Sequence, residues 1–210
     1  LDGARSGPVA EGNHGGGTGM RCYGFKGGTG TASRKLDARA GGYTVGVLVQ
    51  CNCGTRSQLM VAGVRVGREI PETNQRSAAN TPREIEVGSI IIVVATDAPL
   101  LPHQLKRLTR RATMGLARTG STSGNSSGDI FIAFSTANPG AARPAGIADL
   151  KMLPNNEMNE LFTASAEATE EAIINAMVGA ETMTGANHQT VVALPHDGLR
   201  EALKKYNRLQ

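Results

Sequence analysis

Aromatic residues are scarce in this 210-residue chain: they make up 3% of it, and tryptophan is absent. Proteins that bind single-stranded nucleic acids use aromatic side chains as stacking platforms for the bases. The net charge of +4 is mild, and the basic residues of 106–118 recur at helical spacing, which is typical of a solvated helix face. The sequence therefore argues against a nucleic-acid partner.

Cysteine is also rare, with only Cys22, Cys51 and Cys53 in the chain. Three cysteines give no disulfide framework and are typical of a reducing compartment. A zinc site would need more ligands at a recognisable spacing. We therefore expect buried thiols, no metal, no cofactor and a cytoplasmic location, with the periplasm as the alternative because the chain begins at Leu1 rather than at a methionine.

Long hydrophobic runs are missing, since no apolar stretch reaches the roughly 18 residues that a membrane span requires. We therefore expect no membrane partner. The hydrophobic content of 40% and the 27 glycines indicate a core of small aliphatic side chains with many tight turns. The length favours one domain, residues 1–210.

Hydrophobic periodicity predicts the secondary structure. Residues 1–35 are predicted to be glycine-rich loops around one short strand at 20–25. Further strands are expected at 43–51, 58–66, 89–96 and 129–136. The first two of these are expected to form a hairpin whose turn is residues 52–55. The strand 89–96 is continuously aliphatic, so we expect it to be buried on both faces. Helices are predicted from Pro102 to Gly120, over 155–179 and over 199–206, and 67–83 is predicted as an exposed loop. Strands cluster instead of alternating strictly with helices, which favours an α+β fold.

The pair Gly88-Ser89 opens the aliphatic strand. If the bond between these two residues breaks, Ser89 becomes an N-terminus that carries a hydroxyl and an α-amine on one residue. An N-terminal-nucleophile hydrolase needs this combination, because the amine can act as the base for the hydroxyl. Glycine at position 88 permits the strained backbone that self-cleavage requires. An ordinary turn before a strand explains the same residues.

A conventional serine hydrolase has little support. The four histidines are His14, His103, His188 and His196, and no G-x-S-x-G nucleophile elbow occurs. An α-amine has a reference pKa of about 7.7–8.0, which leaves a substantial neutral fraction at cellular pH. It serves better as the base.

Motifs in order along nearly the whole chain resemble the DmpA/BapA family of self-processing aminopeptidases. They lie at 12–20, 24–34, 44–52, 88–96, 97–105, 126–136, 168–173, 180–185 and 194–197. The resemblance implies an αββα four-layer sandwich like that of N-terminal-nucleophile hydrolases. It implies cleavage into 1–88, the end of an α-subunit, and 89–210, a β-subunit. The family's N-terminal region is expected to be missing, and a homotetramer is expected by the same resemblance.

The resemblance also assigns roles to residues. Ser89 would be the nucleophile, Ser127 a proton relay, Asp129 the acid that orients the relay, and Asn52 the oxyanion donor. Residues two apart in a strand point to the same face, so Ser127 and Asp129 can lie together. Family members that cleave β-peptides carry glutamate at the acid position, one methylene longer. Without the resemblance, all of these except Ser89 read as turn residues.

The glycine-rich segment Gly15, Gly16 and Gly17 could give backbone N–H groups to an oxyanion or shape the substrate pocket. It lacks the G-x-x-x-x-G-K-[ST] spacing of a phosphate loop, which argues against nucleotide binding.

The sequence thus predicts a serine aminopeptidase, amidase or esterase that acts on short peptides, amino-acid amides or esters through an acyl-enzyme on Ser89. One alternative is an acyl transferase like ornithine acetyltransferase, whose nucleophile is a threonine. The other is a non-catalytic, truncated relative.

Overall fold

The computed structural model describes residues 2–70 and 88–209 of the protein. Within these residues the strands are β1 Arg21–Cys22, β2 Phe25–Lys26, β3 Gly28–Lys35, β4 Thr44–Asn52, β5 Ser89–Thr96, β6 Ile130–Ser135, β7 Met183–Thr184 and β8 Thr190–Val191. The α-helices are α1 Val66–Glu69, α2 Pro102–Arg118, α3 Asn159–Val178 and α4 His196–Lys205. None of the described helices has the length and apolar character needed to cross a bilayer.

A four-stranded sheet in the order β3-β4-β5-β6 organises the described residues. β4 pairs antiparallel with both β3 and β5, whereas β5 and β6 are parallel and are connected through α2. The mixture of strand directions and the packed helices confirm the α+β class. β5, which begins with Ser89, is an internal strand, as expected.

Helices α2 and α3 cover one face of this sheet. The side chains on that face alternate along each strand, as in Val45, Val47 and Val49 of β4, which are at most 3% exposed. The start of α2 at Pro102 and its end before Gly120, where φ is +102°, confirm the sequence prediction. The helix predicted over 155–179 is also confirmed, as a short 3₁₀ turn followed by α3.

Strand β3 was not predicted, because its sequence begins Gly-Thr-Gly and has little periodicity. The structure explains the glycine at position 30. A Cβ atom there would come within 2.0 Å of the carbonyl oxygen of Ala172 in α3. Close approach of the helix to the strand therefore requires a residue without a side chain, and this removes the hydrophobic pattern that identifies strands.

The opposite face of the sheet is open within the described residues. Large apolar side chains project from it, with Ile91 41%, Ile130 51%, Ile132 50% and Phe134 46% exposed. The prediction that 89–96 is buried on both faces is therefore wrong for the described chain: Ile90, Ile92 and Val94 are buried, whereas the residues between them lie on the open face. One helix layer and one sheet layer are described.

The expected hairpin of 43–51 with 58–66 is wrong. β4 pairs instead with β3 and β5, and residues 58–66 form a 3₁₀ turn, an isolated bridge between Val61 and Val64, and the start of α1. These apolar residues are buried as an irregular segment, so hydrophobicity alone did not identify their conformation. The predicted strand over 20–25 is a hairpin of β1 and β2 that turns at Tyr23 and Gly24, both with positive φ.

Most of the loop predicted over 67–83 lies outside the described residues. Residues 67–69 belong to α1.

Two of the three cysteines form a disulfide, Cys22–Cys51, and not the thiols that we expected. The two residues are 29 positions apart in sequence, and the β1–β2 hairpin brings Cys22 to the end of β4. Spacing in the sequence could not show this because the contact is long-range. The Cys53 sulfur lies 3.9 Å from that of Cys51.

Candidate active site

The first residue of β5 and the last residue of β4 form one end of the central sheet. Asn52 and Ser89 are register partners in the antiparallel ladder, so their side chains lie on the same face of the sheet. Both residues are half-buried. Two residues that we predicted for the site from distant parts of the chain, one as nucleophile and one as oxyanion donor, are therefore neighbours.

The Asn52 side chain is fixed by its oxygen. Asn52 Oδ1 accepts a hydrogen bond of 2.9 Å from the backbone N–H of Arg21 in β1. The amide nitrogen is thereby left to point elsewhere, and it lies beside Gly88: a Cβ atom built on Gly88 would be 3.1 Å from Asn52 Nδ2. A hydrogen-bond donor thus lies next to the bond between Gly88 and Ser89.

Gly88 has a backbone conformation that other residues rarely adopt, with φ at +152°. The same Cβ position would be only 2.1 Å from the backbone oxygen of Asn52. Both the conformation and the contact therefore require glycine immediately before the candidate nucleophile.

The hydroxyl oxygen of Ser89 has a backbone partner that we did not predict. Ser89 Oγ accepts a hydrogen bond of 2.8 Å from the N–H of Gly128, in the loop that leads into β6. A Cβ atom on Gly128 would come 3.3 Å from Ser89 Oγ, which is tight. The small residue between Ser127 and Asp129 therefore lets the loop backbone reach the serine.

Asp129 accepts hydrogen bonds on both carboxylate oxygens. Oδ1 accepts from Ser127 Oγ at 2.6 Å and from the backbone N–H of Ile90 at 3.0 Å. Oδ2 accepts from Ser123 Oγ at 2.7 Å. Because Ile90 follows Ser89 directly, the carboxylate ties the start of β5 to the Ser127 loop.

The Ser127-Asp129 pair thus lies beside Ser89, as expected. Within the described residues, however, the hydroxyl of Ser127 donates to Asp129 and not to Ser89. The relay assigned to Ser127 stays a prediction. In this arrangement a lone pair of Ser127 Oγ would have to accept the proton of the nucleophile.

The glycine segment forms a 3₁₀ turn, Gly15–Gly17. Gly16 packs against the side chain of Gln50, which is two residues from Asn52 in β4. The N–H of Gly17 donates to the carbonyl of His14 at 2.8 Å. That donor is occupied within the turn, and the pocket-shaping role of the segment stays a prediction.

Lys26 fixes this segment, and sequence analysis missed it. Its side chain is 2% exposed, and Nζ donates to the carbonyl oxygens of Gly17, Met20 and Gly27 at 2.9, 2.9 and 2.7 Å. Burial lowers the pKa of Lys26. The three donors of one ammonium group are all used, so the residue acts in structure and not in catalysis.

The residues that sequence reasoning missed at Ser89 contribute through backbone groups or through a loop. The N–H groups of Gly128 and Ile90 carry no sequence signal, and Ser123 is one of several similar serines in residues 121–127. The glycine between Ser127 and Asp129 is the one local signal from which the Gly128 N–H contact could have been predicted.

Comparison with known proteins agrees with this geometry. The model of peptidase family S58 matches residues 1–191. A β-peptidyl aminopeptidase BapA from Sphingosinicella microcystinivorans is 54% identical over 98% of this chain and 54% of its own length. A protein of the same name from Sphingosinicella xenopeptidilytica is 50% identical over 97% of this chain and 53% of its own. The chain thus spans about half the length of these relatives.

Solved structures show the same similarity. The L-aminopeptidase D-Ala-esterase/amidase of Ochrobactrum anthropi, described as a variant of the Ntn hydrolase fold, matches with a TM-score of 0.86 and 48% identity over 98% of this chain and 55% of that one. A β-aminopeptidase from a Burkholderia species matches with a TM-score of 0.82 and 47% identity over 96% of this chain and 55% of that one. The predicted fold family is therefore confirmed.

Proposed function

Because this chain belongs to peptidase family S58, we propose that it carries the nucleophile of a self-processing serine aminopeptidase. The substrates are short peptides, amino-acid amides or esters, from which the enzyme releases the N-terminal residue. The observation that carries this proposal is the junction itself. Ser89 follows a glycine with φ at +152° and lies opposite Asn52, with Gly128 N–H donating to its hydroxyl oxygen.

Maturation begins at the Gly88 carbonyl. Ser89 Oγ adds to this carbon, the C–N bond to Ser89 breaks, and the nitrogen takes up a proton, which leaves an ester and a new α-amine. Water then hydrolyses the ester to a carboxylate on Gly88 and restores the hydroxyl. The amide of Asn52 lies beside this junction, where it can stabilise the negative oxygen of the tetrahedral intermediate.

Turnover uses the same groups on an external carbonyl. The α-amine of Ser89 takes the proton of Oγ as the oxygen attacks, and it passes the proton to the leaving amine or alcohol. Ser127, hydrogen-bonded to Asp129, is a second route for the proton. Water then releases the acyl group from Ser89.

The acid at position 129 is long enough for its role despite being an aspartate. Its Oδ1 reaches both Ser127 Oγ and the N–H of Ile90. The 2.6 Å hydrogen bond from Ser127 Oγ to Asp129 Oδ1 supports an aspartate in this role.

The test uses the complete protein that contains this chain, and its Ser89→Ala and Ser127→Ala variants. Intact-mass analysis of the wild type is expected to show a fragment that begins at Ser89, and release of p-nitroaniline from an amino-acid p-nitroanilide should require that cleavage. Ser89→Ala is expected to stay uncut and inactive. Splitting of Ser89→Ala at the same bond would rule out self-cleavage by this residue.

The same experiment separates the alternatives. An acyl transferase would transfer acetyl groups to ornithine in preference to releasing p-nitroaniline; a serine at position 89, where that relative has a threonine, argues against it. A non-catalytic relative would leave the junction intact and would not react with serine-directed acylating agents.

Assembly follows from the resemblance alone, whereas the location was expected from the small number of cysteines. We propose that the complete protein is a homo-oligomer without a membrane or nucleic-acid partner, divided after Gly88 into two subunits. The cytoplasm was the expected location, but the Cys22–Cys51 disulfide is typical of an oxidising compartment and favours the periplasmic alternative. Light scattering on the purified protein and cell fractionation test these proposals.

A further inference from the structure

Ser123 contacts the candidate active site although it lies four residues before Ser127. Its hydroxyl donates a hydrogen bond of 2.7 Å to Asp129 Oδ2, the oxygen that neither Ser127 nor Ile90 uses. The φ angle of Ser123 is +47°, in the left-handed region that residues with side chains seldom adopt. An uncommon backbone conformation thus brings this hydroxyl to the carboxylate.

The surrounding loop holds Ser123 in that conformation. The N–H of Ser123 donates to the hydroxyl of Ser121, which is 5% exposed. Further along, the N–H of Ser127 donates to the carbonyl of Gly124 at 2.8 Å. Together these two hydrogen bonds hold the backbone of the loop on both sides of Ser123.

We propose that Ser123 is a positioning residue: it orients the carboxylate of Asp129 so that a single oxygen serves both the Ser127 hydroxyl and the start of the nucleophile strand. This inference rests on the proposed function, because it assigns Ser123 to the machinery around Ser89.

The physical reason is rotation of the carboxylate. The torsion about the Cβ–Cγ bond of an aspartate is broad and poorly determined by the side chain itself. Two donors on Oδ1 leave the second oxygen able to move, whereas a third donor on Oδ2 fixes the plane of the group. With that plane fixed, Oδ1 stays within reach of Ser127 Oγ and of Ile90 N–H together.

Two substitutions distinguish the effect of the Ser123 hydroxyl from the effect of its backbone conformation. Ser123→Ala removes the hydroxyl and retains a side chain with the same backbone preference. Ser123→Gly removes the hydroxyl and relieves the left-handed conformation. Thr122→Ala is the matched control, because Thr122 is exposed and its hydroxyl contacts Gln58 and not Asp129.

The measurements, on the complete protein, are kcat and KM for an amino-acid p-nitroanilide, the rate of cleavage before Ser89, and the thermal midpoint. Both Ser123 variants are expected to lower kcat roughly three- to tenfold, as for loss of one hydrogen bond to a charged group in a partly exposed site. KM and the thermal midpoint should stay close to wild type, and Thr122→Ala should match wild type in all four.

Two results would overturn the proposal. If Ser123→Gly retains the wild-type kcat while Ser123→Ala loses activity, the backbone and not the hydroxyl matters. If all three variants lose kcat to the same extent, or none does, Ser123 has no specific role. The Ser89→Ala variant distinguishes failure of the Ser123 inference from failure of the proposed function. Turnover that persists in Ser89→Ala would contradict the proposed function itself.

Discussion

Asn52 and Ser89 are opposite each other across an antiparallel ladder, although 37 residues separate them in the chain. This register places a side-chain amide beside the bond that self-processing would break. The amide is also held in place, because Asn52 Oδ1 accepts a hydrogen bond from the N–H of Arg21. Strand β5 and the β1–β2 hairpin thus meet at Asn52.

Asn52 can therefore be tested by separating its two roles. Asn52→Asp keeps an oxygen for the N–H of Arg21 but loses the donor, so we expect turnover to fall by about 10²–10³ with little change in stability. Asn52→Ala loses both and should also lower the thermal midpoint. The measurements are kcat with a p-nitroanilide substrate and thermal unfolding. Near-normal turnover of Asn52→Asp contradicts the oxyanion role.

Gly88→Ala tests the strained junction. The new Cβ would meet the backbone oxygen of Asn52 at 2.1 Å, so the chain must shift at this point, and an alanine at φ of +152° is strained by roughly 1–3 kcal/mol. We expect slower cleavage, followed by intact-mass analysis over time. Gly3→Ala, where nothing lies within 4 Å of the new Cβ, is the control and should cleave at the wild-type rate. Equal rates in the two variants would remove the argument for Gly88.

The disulfide predicts a measurable contribution to stability. Peptide mapping without reductant is expected to find Cys22 linked to Cys51. Closing a loop of this length contributes about 3–4 kcal/mol in the chain-entropy description. Cys22→Ser should therefore lower the free energy of unfolding in denaturant by that order, whereas Cys53→Ser should change it much less. Peptides that carry Cys22 as a thiol would contradict the linkage.

Glu69 predicts an acid-side change in stability. It accepts hydrogen bonds from Lys205, the last residue of α4, and from Tyr206, the residue after it. These bonds, Lys205 first, lower the pKa of Glu69 below its ordinary value of 4.5. A carboxyl whose pKa is lower in the folded state contributes stability that is present above the unfolded pKa and is lost as the pH falls through the folded one.

We therefore expect Glu69→Gln to have a lower thermal midpoint than wild type above pH 4.5, with the difference closing at more acid pH. The effect is small because the Lys205 side chain that pairs with Glu69 is exposed. Glu181→Gln, at an exposed position, is the control. A difference between Glu69→Gln and wild type that does not depend on pH would contradict this explanation.

The open face of the sheet predicts where the rest of the fold packs. In a four-layer sandwich this face meets a second sheet, so Ile132→Lys in the complete protein should lower the free energy of unfolding by about 1.5–3 kcal/mol. Met114→Lys is the control, because Met114 is 57% exposed on α2, on the side that faces away from the sheet. Denaturant unfolding measures both. Equal effects of the two substitutions would argue that nothing covers the face.

Several elements could be predicted because their signals are local. The run after Gly88 gave strand β5 with its correct start, and Pro102 and Gly120 delimited α2. β3 could not be found, since glycine at position 30 is required by the close approach of Ala172 in α3, a residue far away in the sequence. The residues 58–66 were misassigned because a buried irregular segment is as apolar as a strand.

The sequence by itself determined the Gly88-Ser89 pair at the start of β5 and the Ser127-Gly128-Asp129 spacing, because each is a relation between neighbours in the chain. Only the tertiary structure decided that Asn52 lies opposite Ser89, that Gly128 N–H reaches the serine oxygen and that Ser123 holds the second oxygen of Asp129. These contacts depend on strand register and loop conformation. Both are set by packing between distant segments, which leaves no pattern in the residues themselves.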